Sequence, residues 1–250
     1  MLINPLLNLK PTPEEKGIRG EWAVDRCITI AQKFGCSGRM INNVYVPNKQ
    51  GKYTEIDVLY ITRKGIFVFE SKNYRGWIFG DGESNYWTLC ASRHAKYKVY
   101  NPILQNQGHI RHLSAYVPRG IPFFSVIAYS GQCEIKKMSQ VPVNTYMVHY
   151  YDIPTVMQQL WSTHPDVLSD NQVVELFDAL VTLRTSNLEI INTHAQSVQN
   201  ISNNLSSDNT RICPKCGRSL IIRTARKGSN PGSQFLGCSG YPQCTYTHTL

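Results

Sequence analysis

Ile56-Asp57-Val58-Leu59-Tyr60-Ile61-Thr62, then Arg63-Lys64-Gly65, then Ile66-Phe67-Val68-Phe69-Glu70-Ser71-Lys72 is the stretch that decides the fold. Both arms are apolar and rich in β-formers, and the short polar break between them reads as a tight turn, so the two arms form a hairpin over roughly 55–61 and 66–72. Side chains two apart on a strand share a face, which sends Glu70 and Lys72 the same way. Asp57 lies on the partner strand within reach of the same spot. Three charged groups at the end of a buried hairpin are costly unless they have a use. Two carboxylates beside one lysine suit a divalent cation and a water to be activated.

Working outward, Glu14 to Phe34 reads as a helix whose apolar face is Ala23, Cys27, Ile30 and Phe34, ended by Gly35. Glu21 sits early on it, off that face. Short strands are expected at Asn42–Val46, Trp77–Phe79 and Tyr86–Leu89, with the two tryptophans Trp77 and Trp87 read as core or edge packing. The segment 93–98 is basic and aromatic and stands as a DNA-contact candidate or a solvated loop. Asn101-Pro102 is a helix start, Asn as the cap and Pro at the first helical position, for a helix running to about Tyr116. Gln105, His109 and His112 then share a face, read as surface, with phosphate contact as the alternative. Strands follow at Phe123–Tyr129 and Val143–Tyr150. Ser169-Asp170 caps a helix whose apolar positions are Val173, Val174, Phe177, Leu180 and Leu183. Residues 192–210 hold no Lys, Arg, Gly, Pro or large aromatic and are dense in Asn and Ser, so 191–210 is read as a polar linker; Leu188, Ile191, Ala195 and Val198 keep a helical spacing into it.

The 250 residues have room for one full α/β domain and a small module. No apolar run approaches membrane-spanning length, and Met1-Leu-Ile-Asn-Pro-Leu-Leu lacks the basic start and sustained apolar region of a secretory signal, so a cytoplasmic location without membrane contact is expected. No Walker A loop or G-x-G-x-x-G is present, which argues against a nucleotide-driven motor. The net charge of +9 is uneven: residues 1–191 carry 20 Lys/Arg against 16 Asp/Glu, or +4, and residues 211–250 carry six Lys/Arg and no acid. A basic tail on a mildly basic body fits a polyanionic partner.

Of the eight cysteines, Cys27, Cys36, Cys90 and Cys133 are scattered and read as small apolar residues in a reducing compartment. The other four form Cys213-Pro-Lys-Cys216 and Cys238-Ser-Gly-Tyr-Pro-Gln-Cys244. Two thiolate pairs separated by about twenty residues are what a closed tetrahedral Zn²⁺ site requires. A module this small has too little core to fold unaided, and metal binding supplies the difference. His248 is a spare ligand candidate. Arg218, Arg223, Arg226 and Lys227 lie between the pairs, with Phe235, Tyr241 and Tyr246 near the second. Basic groups meet phosphates, and aromatics stack on unpaired bases.

Cys213-Pro-Lys-Cys216-Gly217, Phe235-Leu-Gly-Cys238-Ser and Tyr241-Pro-Gln-Cys244 resemble the C4 zinc finger at the C-terminus of bacterial type IA DNA topoisomerases, with a longer insert before Phe235. The resemblance covers 211–247 and implies DNA binding, of single strands in the first place, and not catalysis. Upstream, Gly17-Ile-Arg-Gly20-Glu21, Glu55-Ile56-Asp57, Gly65 through Asn73, Gly76 and Asn101-Pro102-Ile-Leu-Gln105 occur in that order. This set resembles the nuclease-related domain family, NERD, a branch of the PD-(D/E)xK restriction-endonuclease-like nucleases, over about residues 14–130. The resemblance implies a mixed sheet flanked by helices and a Mg²⁺- or Mn²⁺-dependent site. Asp57, Glu70 and the Ser71 carbonyl would be metal ligands and Glu21 would project towards the ion. Lys72 would orient or deprotonate the attacking water and Gln105 would hold a water or phosphate. The organisation expected is a nuclease-like domain over 1–190, the linker, and a zinc ribbon over 211–250, acting together as a DNA phosphodiesterase. Three rivals stand beside it: a non-catalytic DNA-binding protein acting in DNA topology or processing, a topoisomerase, for which the chain is too short, and an RNA nuclease.

Overall fold

The computed structural model describes residues 13–48, 51–92, 95–184, 189–190, 196, 213, 215, 220–225 and 232–249, and side chains from residue 19 onward. The linker apart from residue 196, residues 93–94 of the basic segment, Cys216, Arg218, Arg226 and Lys227 lie outside the described residues. No helix among the described residues is long and apolar enough to cross a membrane.

Helix α1 (Pro13–Lys33) leads into three antiparallel strands, β1 (Gly38–Pro47), β2 (Tyr53–Thr62) and β3 (Gly65–Lys72). The β2–β3 turn pairs Thr62 with Gly65. Gly65 takes φ +131° there, and a Cβ would sit 2.4 Å from the Pro122 carbonyl, so only glycine fits. Strands β4 (Gly76–Phe79), β5 (Tyr86–Cys90) and β6 (Lys96–Tyr100) follow, then α2 (Pro102–Leu113) with a closing 3-10 turn to Tyr116. The chain continues through β7 (Phe123–Tyr129), β8 (Cys133–Lys137), β9 (Thr145–His149), α3 (Ile153–Thr163) and α4 (Asp170–Val181).

The main sheet has the order β1-β2-β3-β7-β9, with β3–β7 and β7–β9 parallel. β3 is central and buried on both faces, which is why it reads as an unbroken apolar run. Phe67 and Phe69 pack towards α1 and α3, with Phe67 stacked 4.6 Å from Phe124. Ile66 and Val68 face the other way, towards α2 and α4. A second sheet, β6-β5-β4-β8, packs Ile78 and Trp87 against Ile103 and Tyr129. Mixed sheets flanked by helices are therefore the architecture, as the resemblance implied.

Three readings are corrected. The buried face of α1 is Val24, Ile28 and Ala31, while Ile30 and Phe34 are exposed. Gly20 belongs to that buried face, because a Cβ would meet the Ser71 and Tyr150 hydroxyls. On α4 the buried positions are Val173, Leu176 and Leu180, and Val174 is exposed; its Ser169–Gln172 capping box does form. Strands β6 and β8 and helix α3 were not foreseen, and residues 96–98 are not a solvated loop but part of β6, paired with β5. Trp87 is buried, but Trp77 is 49% exposed and does not pack in the core.

The C-terminal residues form a separate antiparallel sheet of β10 (Leu220–Thr224), β11 (Gln234–Cys238) and β12 (Thr247–Thr249) around a small core of Cys213, Leu220, Leu236, Cys238 and Cys244.

Candidate active site

The polar cluster lies where β2 and β3 approach the ends of their pairing. The ladder Val58↔Phe69 brings Asp57 level with Glu70 and Ser71, and the Ser71 N–H donates to Asp57 Oδ2 at 2.7 Å. The face alternation slips at this point. Ile41 and Leu59 share one core layer with Val44 and Ile56, and Asn43 between them takes φ +56°. Such a slip re-aims polar groups out of a buried ladder.

Lys72 Nζ donates to Glu70 Oε1 at 2.5 Å and to Gln105 Oε1 at 3.1 Å. Gln105 is held there by the first turn of α2, which Asn101 caps by accepting from the Ile103 N–H at 2.9 Å. Asn101 is fully buried and its amide donates to the Ser84 and Asp81 carbonyls, tying the turn before β5 to the helix. Asn106 fixes the next position by donating to the Val68 carbonyl and the Ser125 hydroxyl.

The sequence did not reveal His109 as a member of the cluster. It is buried, with Nε2 3.0 Å from Glu70 Oε2 and Nδ1 2.6 Å from Thr54 Oγ1. An ionised carboxylate only accepts, so Nε2 carries a proton and donates; the Thr54 hydroxyl rotates to match either state of Nδ1. The reading of His109 as a surface group is thus overturned. Its spacing of four from Gln105 was the signal available. Tyr150, whose hydroxyl lies 2.9 Å from Ser71 Oγ, is a second unforeseen neighbour.

Electrostatics separate the carboxylates. Burial pushes Asp57 well above its ordinary value, and the Glu70 charge pushes it further, outweighing Lys72 and the Ser71 N–H. Burial also works against ionised Glu70, but Lys72 and His109 win and hold it at about 2. Lys72 resists the same burial through Glu70 and is held above its ordinary value, so it stays an ammonium. Glu21 is raised by burial and by Glu55 and Asp25, with a smaller contribution from Glu70, and a hydrogen bond from Asn43 opposes this. The structure therefore brings Asp57, Glu70, Ser71, Lys72 and Gln105 together, with Glu21 half-buried on α1 and close enough to feel the Glu70 charge. The donors are all oxygens, and Asp57 is under-compensated, so the residues fit a hard divalent cation.

In the C-terminal unit, Cys213, Cys238 and Cys244 place their sulfurs within 4.8 Å of one another, with Cys213 and Cys244 3.6 Å apart. Tetrahedral Zn–S bonds of about 2.3 Å require roughly 3.8 Å between sulfurs, so the set fits zinc. The Gly240 N–H donates to Cys238 Sγ at 3.3 Å, stabilising a thiolate. His248 is exposed on β12 and outside this group. Arg223 lies 5.5 Å over the Tyr241 ring, beside Phe235 and Tyr246 in an open concavity of about 680 Å³.

Comparison with known proteins fits both units. Residues 16–130 match the nuclease-related domain, NERD. Residues 210–250 match the topoisomerase DNA binding C4 zinc finger. The chain carries a NERD domain followed by a topoisomerase-type zinc ribbon. An uncharacterized protein of Bacillus anthracis is 28% identical over 192 residues, 76% of this chain and 87% of that protein. DNA topoisomerase 1 of Archaeoglobus fulgidus is 49% identical over 38 residues, and that of Methanocaldococcus jannaschii 48% over 40; each match spans 5% of the topoisomerase and lies at 15–16% of this chain. No solved structure matches. The NERD domain indicates a nuclease-related function and the zinc ribbon indicates nucleic-acid binding.

Proposed function

We propose that this protein is a metal-dependent nuclease that hydrolyses DNA phosphodiester bonds, with the zinc ribbon adding affinity for DNA. The observation that carries the reading is the gathering of Asp57, Glu70, Lys72 and Gln105 at one strand end, two carboxylates with one pushed up and one held down. Asp57, Glu70 and the Ser71 carbonyl would hold Mg²⁺ or Mn²⁺. The cation, when bound, supplies Lewis acidity and an activated water. Lys72 remains protonated, so its role is to orient the water and offset charge building on the phosphoryl oxygens, and deprotonation by Lys72 is disfavoured. Gln105 uses its carbonyl to hold Lys72, which leaves its amide N–H groups for a phosphate or water. Glu21 would project from α1 towards the cation. His109 and Thr54 fix Glu70 in place. In the reaction, the water oxygen bonds to phosphorus and gives up a proton to solvent as the ester P–O bond breaks, and the departing oxygen takes up a proton from solvent. A tethered zinc ribbon raises the local concentration of DNA at this site.

The test is incubation of the purified protein with supercoiled plasmid and with single-stranded circular DNA, Mg²⁺ present or chelated, beside Glu70→Ala. Product that needs both the metal and Glu70 supports the proposal. Intact DNA of both kinds overturns it in favour of binding alone, and closed relaxed circles point to topoisomerase chemistry.

A further inference from the structure

The sheet β6-β5-β4-β8 has one face in the core and one in solvent. Ile78, Trp87, Leu89, Val99 and Ile135 point inward. The register Trp77↔Cys90, Phe79↔Thr88, Thr88↔Lys98 and Tyr86↔Tyr100 places the alternate positions together on the outer face. There Trp77, Phe79, Tyr86 and Tyr100 are 36–49% exposed. A cluster of large exposed aromatics on one sheet face marks an interaction surface.

The charge on this face names the partner. The four strands carry Lys96, Lys98, Lys136 and Lys137 against one acid, Glu134, which pairs with Lys136. Lys98 Nζ lies 4.2 Å over the Tyr86 ring and Lys136 Nζ lies 5.1 Å over Trp77. Flat rings interleaved with ammonium groups match a ligand that alternates flat bases with phosphates. Residues two apart on a strand, such as Trp77 and Phe79, stand about 6.8 Å apart. That is about twice the 3.4 Å rise per base along one strand of a duplex, so stacking on both needs an unpaired, stretched strand. The face is also tied to the candidate active site at both ends. β4 begins at Gly76, just after Lys72, and β6 ends at Tyr100, next to the Asn101 cap that sets Gln105.

We propose that this face binds single-stranded DNA, with bases stacked on Trp77, Phe79 and Tyr86 and phosphates drawn to Lys98 and Lys136, and delivers the strand to the site at Lys72. The proposal rests on the reading of DNA as substrate. Full-length protein without added Mg²⁺ is photocrosslinked to a short oligothymidylate bearing 5-iododeoxyuridine, and affinity is measured by fluorescence anisotropy. Crosslinks are expected on β4, β5 or β6. Trp77→Ala and Lys98→Glu, both on the solvent face, are expected to keep the melting temperature, with Trp77→Ala weakening binding at least about fivefold and Trp77→Phe restoring most of it. Binding with crosslinks confined to residues 211–250, or equal affinity in Trp77→Ala, overturns this face while leaving the nuclease reading intact. Failure of the wild type to bind any oligonucleotide removes the DNA reading as well. Stronger competition by duplex, or a dimer that Trp77→Ala dissociates, assigns the face to another occupant and overturns the proposal.

Discussion

Replacing His109 with phenylalanine keeps a flat ring of similar volume and removes both ring nitrogens, so it isolates two hydrogen bonds from the packing around them. Glu70 Oε2 loses a donor at 3.0 Å inside the core, and the Thr54 hydroxyl loses a partner at 2.6 Å. A hydrogen bond to a charged group contributes about 1.5–3 kcal/mol and a neutral one about 0.5–1.5. Lys72 still holds Glu70 Oε1, so the carboxylate is not stranded and the larger penalty of a broken buried pair is avoided. The expected loss is about 2–4.5 kcal/mol, or roughly 4–18 °C in melting temperature for a domain of this size. Scanning calorimetry on His109→Phe, Thr54→Val and the double variant measures it. The double variant should lose less than the sum, because the Thr54–His109 bond is counted in both singles. His112→Ala, on the half-buried side of the same helix, should stay within about 0.5 kcal/mol. A melting temperature for His109→Phe within a degree of wild type would refute the contact with Glu70.

Asn101→Ala removes a helix cap and takes a donor away from the Ser84, Asp81 and Gly82 carbonyls of the turn before β5, of which Asp81 keeps the Trp87 indole N–H; a loss on the order of 1–3 kcal/mol is expected by chemical denaturation. Zinc analysis should find one ion per chain; chelation, or Cys244→Ser, should melt the signal of residues 211–250 while the transition of the main body stays in place. Adding Mg²⁺ to a hundred times its dissociation constant should raise the melting temperature by roughly 5–10 °C, and Asp57→Asn should abolish most of that shift; an equal shift in the variant would remove Asp57 from the cation account.

The hairpin was legible because its signal is local: β-formers on both sides of a short turn, with charges two apart at the end. The zinc pairs were legible for the same reason. The face of α1 was not, since Ala23-Cys27-Ile30-Phe34 fits a helical period as well as the true Gly20-Val24-Ile28-Ala31 set. Glycine carries no hydrophobic weight, and only its contact with Ser71 and Tyr150 shows that the helix must approach there. His109 was hidden because its partners, Thr54 and Glu70, lie 55 and 39 residues away in the chain. No periodicity within one helix reports a bond of that range. The open face of β4–β6 was obscured in another way: Trp77 and Trp87 look alike in sequence, and only the register sends one to solvent and the other inward.

The two carboxylates pull stability in opposite directions as pH changes, and this bears on what the cluster is built for. Glu70 is depressed to about 2 from 4.5, so its contribution is present above the unfolded value and is lost as pH falls from about 4.5 to about 2. That contribution is on the order of 3 kcal/mol. Asp57 is raised, so its protonated form favours folding at low pH, and that advantage disappears as pH rises through its folded value. A cluster selected for stability alone would have no reason to keep Asp57, because an amide would accept from the Ser71 N–H without the charge. Glu70 already has a donor on each oxygen, from Lys72 and from His109, while Asp57 has a single main-chain donor on Oδ2. The uncompensated charge of the cluster therefore resides at Asp57, which makes it the ligand through which a cation would gain most and the position where its removal should be felt first.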